Sequence, residues 1–456
     1  MRKGTTPPKE PNPKPFRAAG PFVLPVYFQG YNQDGVWCEK FPENLSQTDK
    51  KDPIMTETAI PQAAPVSHPT DENRAAEARP TPLATFLAET GMPPEAVAYF
   101  GALTPHKFDA PEQETVALMV SVAVHDLGWL RRVKVLGEER FRWLSGMVTN
   151  AVNDLALNSG AWNLVLNAQG RIQGDLHVWR EGEKLNLTVT ADQYEKLLAH
   201  LNRFIIMDDV ELEPENDTAL GLAGPLAAGV LTRLGLPEPE SMTSVRATWN
   251  GQPIRLARSY GVLAPHYELW VQLEQIPALW KALTDAGAIP VGAATLTAFR
   301  IAEGIPAYGI DIAERDLPQE AVPQAESLSG AMKSVRAKSE QLAPPQVALS
   351  FNKGCYLGQE IVERIRSRGS VHRHLRSLEL FGTVPAAGAE LTSTDGVAAG
   401  QITSAAELPL ASGRRVFALG MIRSEAEMRN QSLIYNTETA SGTACILAAP
   451  AVSSAG

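Results

Sequence analysis

Residues 120–148 read VSVAVHDLGWLRRVKVLGEERFRWLSGMV, and residues 161–189 read AWNLVLNAQGRIQGDLHVWREGEKLNLTV. The first stretch passes from an apolar run through a strand-like RRVKVLG into an amphipathic helix over 138–148. The second alternates apolar and polar residues between turn signals at Gln169-Gly170 and Glu181-Gly182, which predicts three strands. A helix over 192–204 follows. The pattern returns downstream: SVRATWNGQPIRLARS and HYELWVQL read as strands, IPALWKALTDAG as a helix, and LAGPLAAGVLTRLGL as another. Strands followed by a helix that packs on them thus occur in two similar passes, near 125–210 and 245–300. The fold class that follows is α+β, built as two related halves.

Outward from this centre the chain changes character. Upstream, TPLATFLAET and PEAVAYFGAL have helical spacing, and ordered sequence begins near Thr81. Residues 1–80 are rich in Pro, Lys, Thr and Glu and cannot bury enough apolar surface to offset chain entropy, so a disordered tail is expected there. Downstream, residues 320–345 are polar and Pro-punctuated, the mark of a loop. From Val371 only strand-like pieces remain, separated by TVPAAGAE, STDGVAAG and LASGRR. They predict a small β-barrel over 371–456. The α+β domain then spans 81–370, with halves at about 81–215 and 240–370.

Composition narrows the function. Of 456 residues 44% are hydrophobic, enough for a sizeable core, and the net charge of -10 opposes nucleic acid unless a local basic patch exists. No apolar run reaches the roughly 18 residues of a membrane helix. The patch over 22–28 is broken by Pro25 and lacks a convincing cleavage site, so no signal peptide is read and a cytoplasmic location is expected. The three cysteines, Cys38, Cys355 and Cys445, show no metal-ligand spacing, and a reducing compartment suits them.

Chemistry concentrates in residues 351–380, FNKGCYLGQEIVERIRSRGSVHRHLRSLEL. Gly354 and Gly358 flank Cys355 and let the backbone turn and approach a ligand closely. Lys353 stands two residues before the thiol, and a nearby cation favours the thiolate. Arg364, Arg366 and Arg368 would share one face of a strand. The competing reading is a small buried cysteine beside a solvated arginine run. Cys445, in GTACILAAP, reads as a core strand residue.

KGCYLGQE resembles the KGC-aromatic-x-GQE signature of the YgfZ type of the glycine-cleavage T-protein superfamily. Four further segments resemble that superfamily in order: VHDLGWLRRVKVLGEERFRWLSGMVTNAV, NAQGRIQGDLHVWREGEKLNLTV, FIIMDDVELE and FRIAEGIPAYGIDIAERDLPQEA. GQITSAAELPLASGRRVFALGMIR is similar to its C-terminal barrel.

The resemblance implies a T-protein-like folate-binding domain followed by the barrel, with tetrahydrofolate or a one-carbon derivative in a central channel. It implies support for iron–sulfur enzymes, with assembly proteins or clients as partners; no DNA or membrane partner is expected, and the net charge opposes RNA. Cys355 would supply a reactive sulfur, with Lys353 lowering its pKa and Gln359 or Glu360 orienting the loop. Arg300 is the foremost folate contact, joined by Tyr308 and Asp311; a packed Tyr and a turn-satisfying Asp are the alternatives. Arg364 and Arg366 would hold the folate tail or an acidic partner. Trp143 is a candidate flank for the ring, against a core tryptophan, and Asn150 a candidate ligand, against a helix-end residue. No metal ligand is expected.

Two departures from the family matter. Ala302 and Glu303 stand transposed relative to its motif. The aminomethyltransferase branch has an Asp-Asp pair where this chain has Gly174-Asp175, an Asn at the position of Thr190, and a Glu near Ala264. Asp175 alone of those carboxylates carries over as a folate contact. Folate-dependent aminomethyl transfer is therefore the alternative function, and an RNA-modification role resting on the Arg/His tract is a second.

Overall fold

The computed structural model describes residues 78–91, 93–321, 347–429 and 432–447. The expectations for the Pro-rich tail, for Cys38 and for most of the polar loop 320–345 lie outside these residues.

The described chain opens with β1 (Arg79–Pro80), α1 (Pro82–Glu89), β2 (Ala96–Tyr99), β3 (Ala102–Pro105) and α2 (Pro111–Val120). Next come β4 (Ala123–Asp126), β5 (Leu130–Leu136), α3 (Arg140–Met147), β6 (Gly160–Leu166), β7 (Ile172–Glu181), β8 (Lys184–Thr190) and α4 (Ala191–Asn202). A similar series follows: β9 (Glu211–Pro214), β10 (Thr218–Ala223), α5 (Ala227–Arg233), β11 (Thr243–Trp249), β12 (Gln252–Ser259), β13 (His266–Val271) and α6 (Ile276–Asp285). Then β14 (Ile289–Pro290), α7 (Ala293–Glu303), α8 (Pro318–Ala321) and α9 (Gln359–Arg368) lead to the last region. It holds β15 (Arg373–Phe381), β16 (Glu390–Thr392), β17 (Ala398–Leu410), β18 (Gly413–Arg423), α10 (Ser424–Arg429), β19 (Leu433–Asn436) and β20 (Ser441–Ile446).

The two series form two sheets of like topology, ordered β6-β7-β8-β5-β9 and β11-β12-β13-β10-β4-β14. Each series gives its leading strand to the other sheet. β4 pairs antiparallel with β10, and β9 pairs antiparallel with β5. The halves are thus interlocked; along the chain the passage from the first sheet to the second falls between β9 and β10, near 215, and β4 is the strand of the first 215 residues that joins the second sheet.

Side chains alternate across each strand. One face of the first sheet turns Val133, Val135, Leu176, Val178, Leu185 and Leu187 into a core with Trp143, Leu144, Leu197 and Leu201 from α3 and α4. The matching face of the second sheet buries Leu220, Leu222, Ile254, Leu256 and Leu269 against Val230, Leu279 and Leu283 from α5 and α6. Each such side chain contributes about 1.5–3 kcal/mol by leaving water. The opposite faces of the two sheets meet each other. Arg132 of the first stacks on Trp270 of the second, and Arg255 of the second on Trp179 of the first.

The C-terminal strands close a barrel in the order β15-β18-β17-β16-β19-β20. Leu378, Leu380, Leu391, Ile402 and Tyr435 fill it. Helix α7 packs on β17 and β18, and Ala298, Ile301 and Ala302 share a core with Phe417, Leu419 and Met421. Cys445 lies on a barrel strand as expected, but is half-buried rather than in the core.

Two local expectations are overturned. PEAVAYFGAL is the hairpin β2–β3, not a helix. Phe100 and Gly101 take positive φ of 46° and 86°, as a two-residue hairpin turn requires. Tyr99 and Phe100 pack on Trp129 with ring centroids 5.5 Å and 4.8 Å away, a tertiary contact that local spacing does not anticipate. The arginine run is helical, in α9, not a strand. At 100° per residue its alternate arginines point to different sides. Val362 is buried from that helix, and Glu360 pairs with Arg364 at 3.1 Å one turn on.

Gly137, where β5 gives way to α3, has φ of 96°. A methyl there would run into the Asp209 carbonyl in the segment leading to β9. Gly137→Ala is expected to cost about 1–3 kcal/mol, read as a lowered urea midpoint. An unchanged midpoint would show that this junction yields freely.

Candidate functional site

A cavity of about 250 Å³ opens between the two sheets. Its walls are aromatic and aliphatic, with Tyr99, Phe100, Trp129, Trp162, Phe299 and Tyr308 prominent. Asp175, His177 and Gln193 enter from the first half, and His266, Glu268, Arg300 and Glu303 from the second. An apolar slot with a few convergent polar groups is the usual form of a small-molecule site. The barrel contributes no lining residue, so the expected channel between halves and barrel is here a cavity between the halves alone.

Asp175 is held in place on both oxygens. Trp162 Nε1 donates to one at 2.8 Å and Gln193 Nε2 to the other at 2.9 Å. Burial pushes its carboxyl up, against those two hydrogen bonds. The neighbouring position faces away: a side chain at Gly174 would meet Gln193 and Leu197 of α4. Of the Gly174-Asp175 pair it is therefore Asp175 that reaches the cavity, and its carboxylate is present. The substitution at Gly174 weighs less against transfer chemistry than the sequence suggests. Thr190 lines the cavity, whereas Ala264 is buried in a separate core.

Arg300 also lines the cavity. Its Nη1 donates to Asp311 Oδ2 at 2.7 Å and to the Ile305 carbonyl at 3.1 Å. Asp311 lies outside the lining. It accepts from Ala307 N, Thr403 Oγ1 and Ser404 Oγ as well, and so ties α7, the loop after it and β17 together. Tyr308 lines the cavity, and burial with nearby carboxylates pushes its hydroxyl up.

Sequence reasoning missed Glu268 and His266, although the signal was there: both are polar residues on the cavity face of the otherwise apolar strand HYELWV. Glu268 accepts from Trp270 Nε1 at 2.8 Å, and burial pushes its carboxyl up. His266 Nε2 lies 3.1 Å from Glu303 Oε2. Burial opposes charge on His266, but the Glu303 carboxylate overrides it and holds the imidazole above its usual range. Glu303 also accepts from Val262 N and Leu263 N, so the transposed Glu303 has found a buried structural place beside the cavity. His125 and His177, by contrast, are pushed down to about 4 by burial.

The KGCYLGQE loop lies elsewhere. Cys355 is exposed and is not a cavity residue. Lys353 does not serve it: Nζ donates to the Ser145, Val148 and Asn150 carbonyls at 2.7, 2.5 and 2.8 Å. These acceptors sit at the C-terminal end of α3, where a cation is favoured by the helix dipole. Burial pushes Lys353 down to about 7. Three acceptors nevertheless match the three donors that only the ammonium possesses. Gly358 has φ of 82° and does permit a close approach, but to the β6–β7 turn at Asn167 and Gly170. Gln359 accepts from Tyr356 N within the loop. Arg366 stacks over Phe351, with 4.3 Å to the ring centroid.

None of Gln359, Glu360, Arg364, Arg366, Trp143 and Asn150 lines the cavity. Trp143 is a core residue whose Nε1 donates to the Phe204 carbonyl. Asn150 donates to the Trp162 and Val347 carbonyls, joining β6 to the segment before the loop. Among the described residues no helix is long and apolar enough to cross a membrane. Among them, too, no group of three or more His, Cys, Asp or Glu could hold a metal ion.

Comparison with known proteins bears on this arrangement. The family model described as the GCVT N-terminal domain matches residues 85–323. An aminomethyltransferase of Thermus thermophilus is 27% identical over 355 residues, spanning 76% of this chain and 92% of the relative. A putative chloroplastic transferase of Arabidopsis thaliana is 25% identical over 325 residues, spanning 70% of this chain and 69% of its own length. The crystal structure of glycine cleavage system aminomethyltransferase T from Bartonella henselae superposes with a TM-score of 0.68 at 20% identity. It covers 82% of this chain and 98% of that one. At that identity the likeness is one of fold.

Two outcomes test the geometry. Lys353→Met leaves three carbonyls without their donor and is expected to lower stability by about 2–4 kcal/mol, measured by chemical denaturation. A loss under 1 kcal/mol would detach Lys353 from α3. The ion pair of His266 with Glu303 stabilises fully below about pH 6.5, the ordinary histidine value. That contribution fades as pH rises through the raised folded value. In Glu303→Gln, histidine NMR titration should find the His266 pKa lowered from that of the parent, because burial is then opposed only by the weaker pull of Glu268; an unmoved titration would break the pairing.

Proposed function

Because the chain belongs to the GCVT N-terminal domain family, we propose that the inter-sheet cavity binds tetrahydrofolate or a one-carbon derivative of it. The observation that carries this reading is an aromatic slot with the carboxyl groups of Asp175 and Glu268 facing into it. A pterin is a flat ring whose amino and ring N–H groups form a donor edge, which a carboxylate accepts through two parallel hydrogen bonds. Tyr99, Trp129, Trp162 and Tyr308 offer ring faces, and Arg300 offers positive charge toward the anionic tail. Bound folate would supply a one-carbon carrier.

The chain's wider role, in this reading, is support of iron–sulfur enzymes through the thiol of Cys355. What supports it is the KGCYLGQE resemblance together with the exposure of Cys355. The thiol is open to partner proteins, while the loop that bears it is anchored through Lys353. Arg364 and Arg366, both exposed but on different sides of α9, are open to an acidic partner. A second reading, aminomethyl transfer to folate, is favoured by one feature: Asp175 keeps a carboxylate in the cavity, oriented by Trp162 and Gln193.

Tetrahydrofolate titration should quench fluorescence from Trp129 and Trp162, and Glu268→Gln should weaken binding about 10- to 100-fold if a charged hydrogen bond is lost. An unaltered affinity would remove Glu268 from the site. Cys355→Ser should bind folate as the parent does yet fail to restore iron–sulfur enzyme activity in a deficient strain. Full restoration would end the role of the thiol, and release of methylene-tetrahydrofolate from an aminomethylated carrier protein would favour the transferase.

A further inference from the structure

The wall that carries Glu268 presents a second polar side chain whose use the proposed function leaves open. His266 and Glu268 stand two residues apart on β13, so they share one face of the strand, about 7 Å apart at the backbone. Both line the cavity, and the His266 side chain is 18% exposed. Its ring leans on Phe299, with centroids 5.8 Å apart, and lies against Gly261, where an added methyl would collide with it.

Hydrogen bonding assigns the two ring nitrogens. Nε2 lies 3.1 and 3.3 Å from the two oxygens of Glu303. The Glu303 side chain is buried and also accepts from Val262 N and Leu263 N at 2.8 and 2.9 Å. An ionised carboxylate only accepts, so Nε2 carries a hydrogen whether the ring is charged or neutral. Nδ1 has no hydrogen-bond partner among the described residues, and it is the nitrogen on which His266 gains and loses its proton. Charged His266 offers an N–H donor there, and neutral His266 a lone pair. The titratable groups around the ring are Glu303 on α7, Glu268 on its own strand, Arg258 on β12 and His125 on β4. The two carboxylates favour the imidazolium, and burial and Arg258 oppose it. His125, pushed down to about 4, adds no charge near neutral pH.

An acceptor beside a donor complements one edge of a pterin. Along that edge an amino group and a ring N–H are followed by an oxo group: two donors, then an acceptor. A carboxylate accepts from the two donors in parallel, and the oxo oxygen then needs a donor alongside. Asp175 also has a histidine two residues on, His177, which lines the cavity. Burial pushes that ring down to about 4 and leaves it neutral, and both Asp175 oxygens are already engaged by Trp162 and Gln193. The match is therefore with β13. We infer that His266 is a specificity residue of the cavity for the oxo group of a pterin: Glu268 takes the donor edge, and the Nδ1–H of His266, held from behind by Glu303, takes the oxo oxygen. This rests on the folate reading and adds to it the orientation of the ring and a proton on His266 that binds with the ligand.

The test titrates the full chain with tetrahydrofolate and with 6-methyltetrahydropterin, which has the ring but no anionic tail. It is repeated over a series of pH values, with histidine NMR locating the His266 titration. Both ligands should bind more weakly as pH rises through the folded pKa of His266. Each should also raise that pKa when bound, because linkage is reciprocal. In Glu303→Gln the weakening should set in at lower pH. His266→Phe should cost about tenfold or more in affinity where the parent ring is charged, as expected for a hydrogen bond to a charged group. His266→Gln keeps a neutral donor and should recover part of that loss without the pH dependence. Affinity independent of pH, with a His266 titration unmoved by ligand, would overturn the inference even though both ligands bind. A pH effect with tetrahydrofolate but not with 6-methyltetrahydropterin would move His266 to the tail and overturn it equally. Failure of both ligands to bind at any pH would remove the folate reading itself, and this inference with it.

Discussion

The exchange of β4 and β9 between the two sheets is the constraint on which the rest of this molecule depends. Each strand hydrogen-bonds to the sheet of the other half, so neither half completes its sheet alone. The exchange holds the two sheets face to face, with their apolar sides outward beneath helices and their mixed sides inward. Because side chains alternate along a strand, the same run of residues supplies both sides. Leu176 and Val178 feed the helix-covered core while Asp175 and His177 face the cavity, one residue apart.

A polar interior of this kind is stable only where its groups are matched. Much of it is. Asp175 has Trp162 and Gln193, Glu303 has His266 and two backbone amides, and Asp311 gathers Arg300, Ala307, Thr403 and Ser404. These networks do more than satisfy atoms. Asp311 makes the wall after α7 continuous with the barrel, so the barrel braces the cavity without lining it.

The segment richest in sequence signal turned out to be an anchoring device as well as a candidate reactive loop. Lys353 fastens it to the end of α3, Gly358 fits it against the β6–β7 turn, and Asn150 secures the segment that precedes it. With that anchoring, Cys355 is displayed at the surface on a fixed base. The cavity proposed for folate and the thiol of Cys355 therefore stand at different places on the molecule.

Much of the architecture was legible in one dimension. Period-two alternation over 161–189, glycine at both turns and the spacing of the amphipathic helices determined an α+β pair of halves, and the short turn-bounded strands after Val371 determined the barrel. Those patterns are local, and local chain stiffness and burial suffice to express them. The partners were decided only in three dimensions. The hairpin at Phe100-Gly101 depends on Trp129, and the helical state of α9 on burial of Val362. The employment of Lys353 depends on carbonyls some two hundred residues away. Which residue of Gly174-Asp175 meets the cavity follows from strand register, and the stacking of Arg255 on Trp179 from the facing of two sheets. Charge pairing and burial act through space, and a sequence states only which groups exist, not which of them will meet.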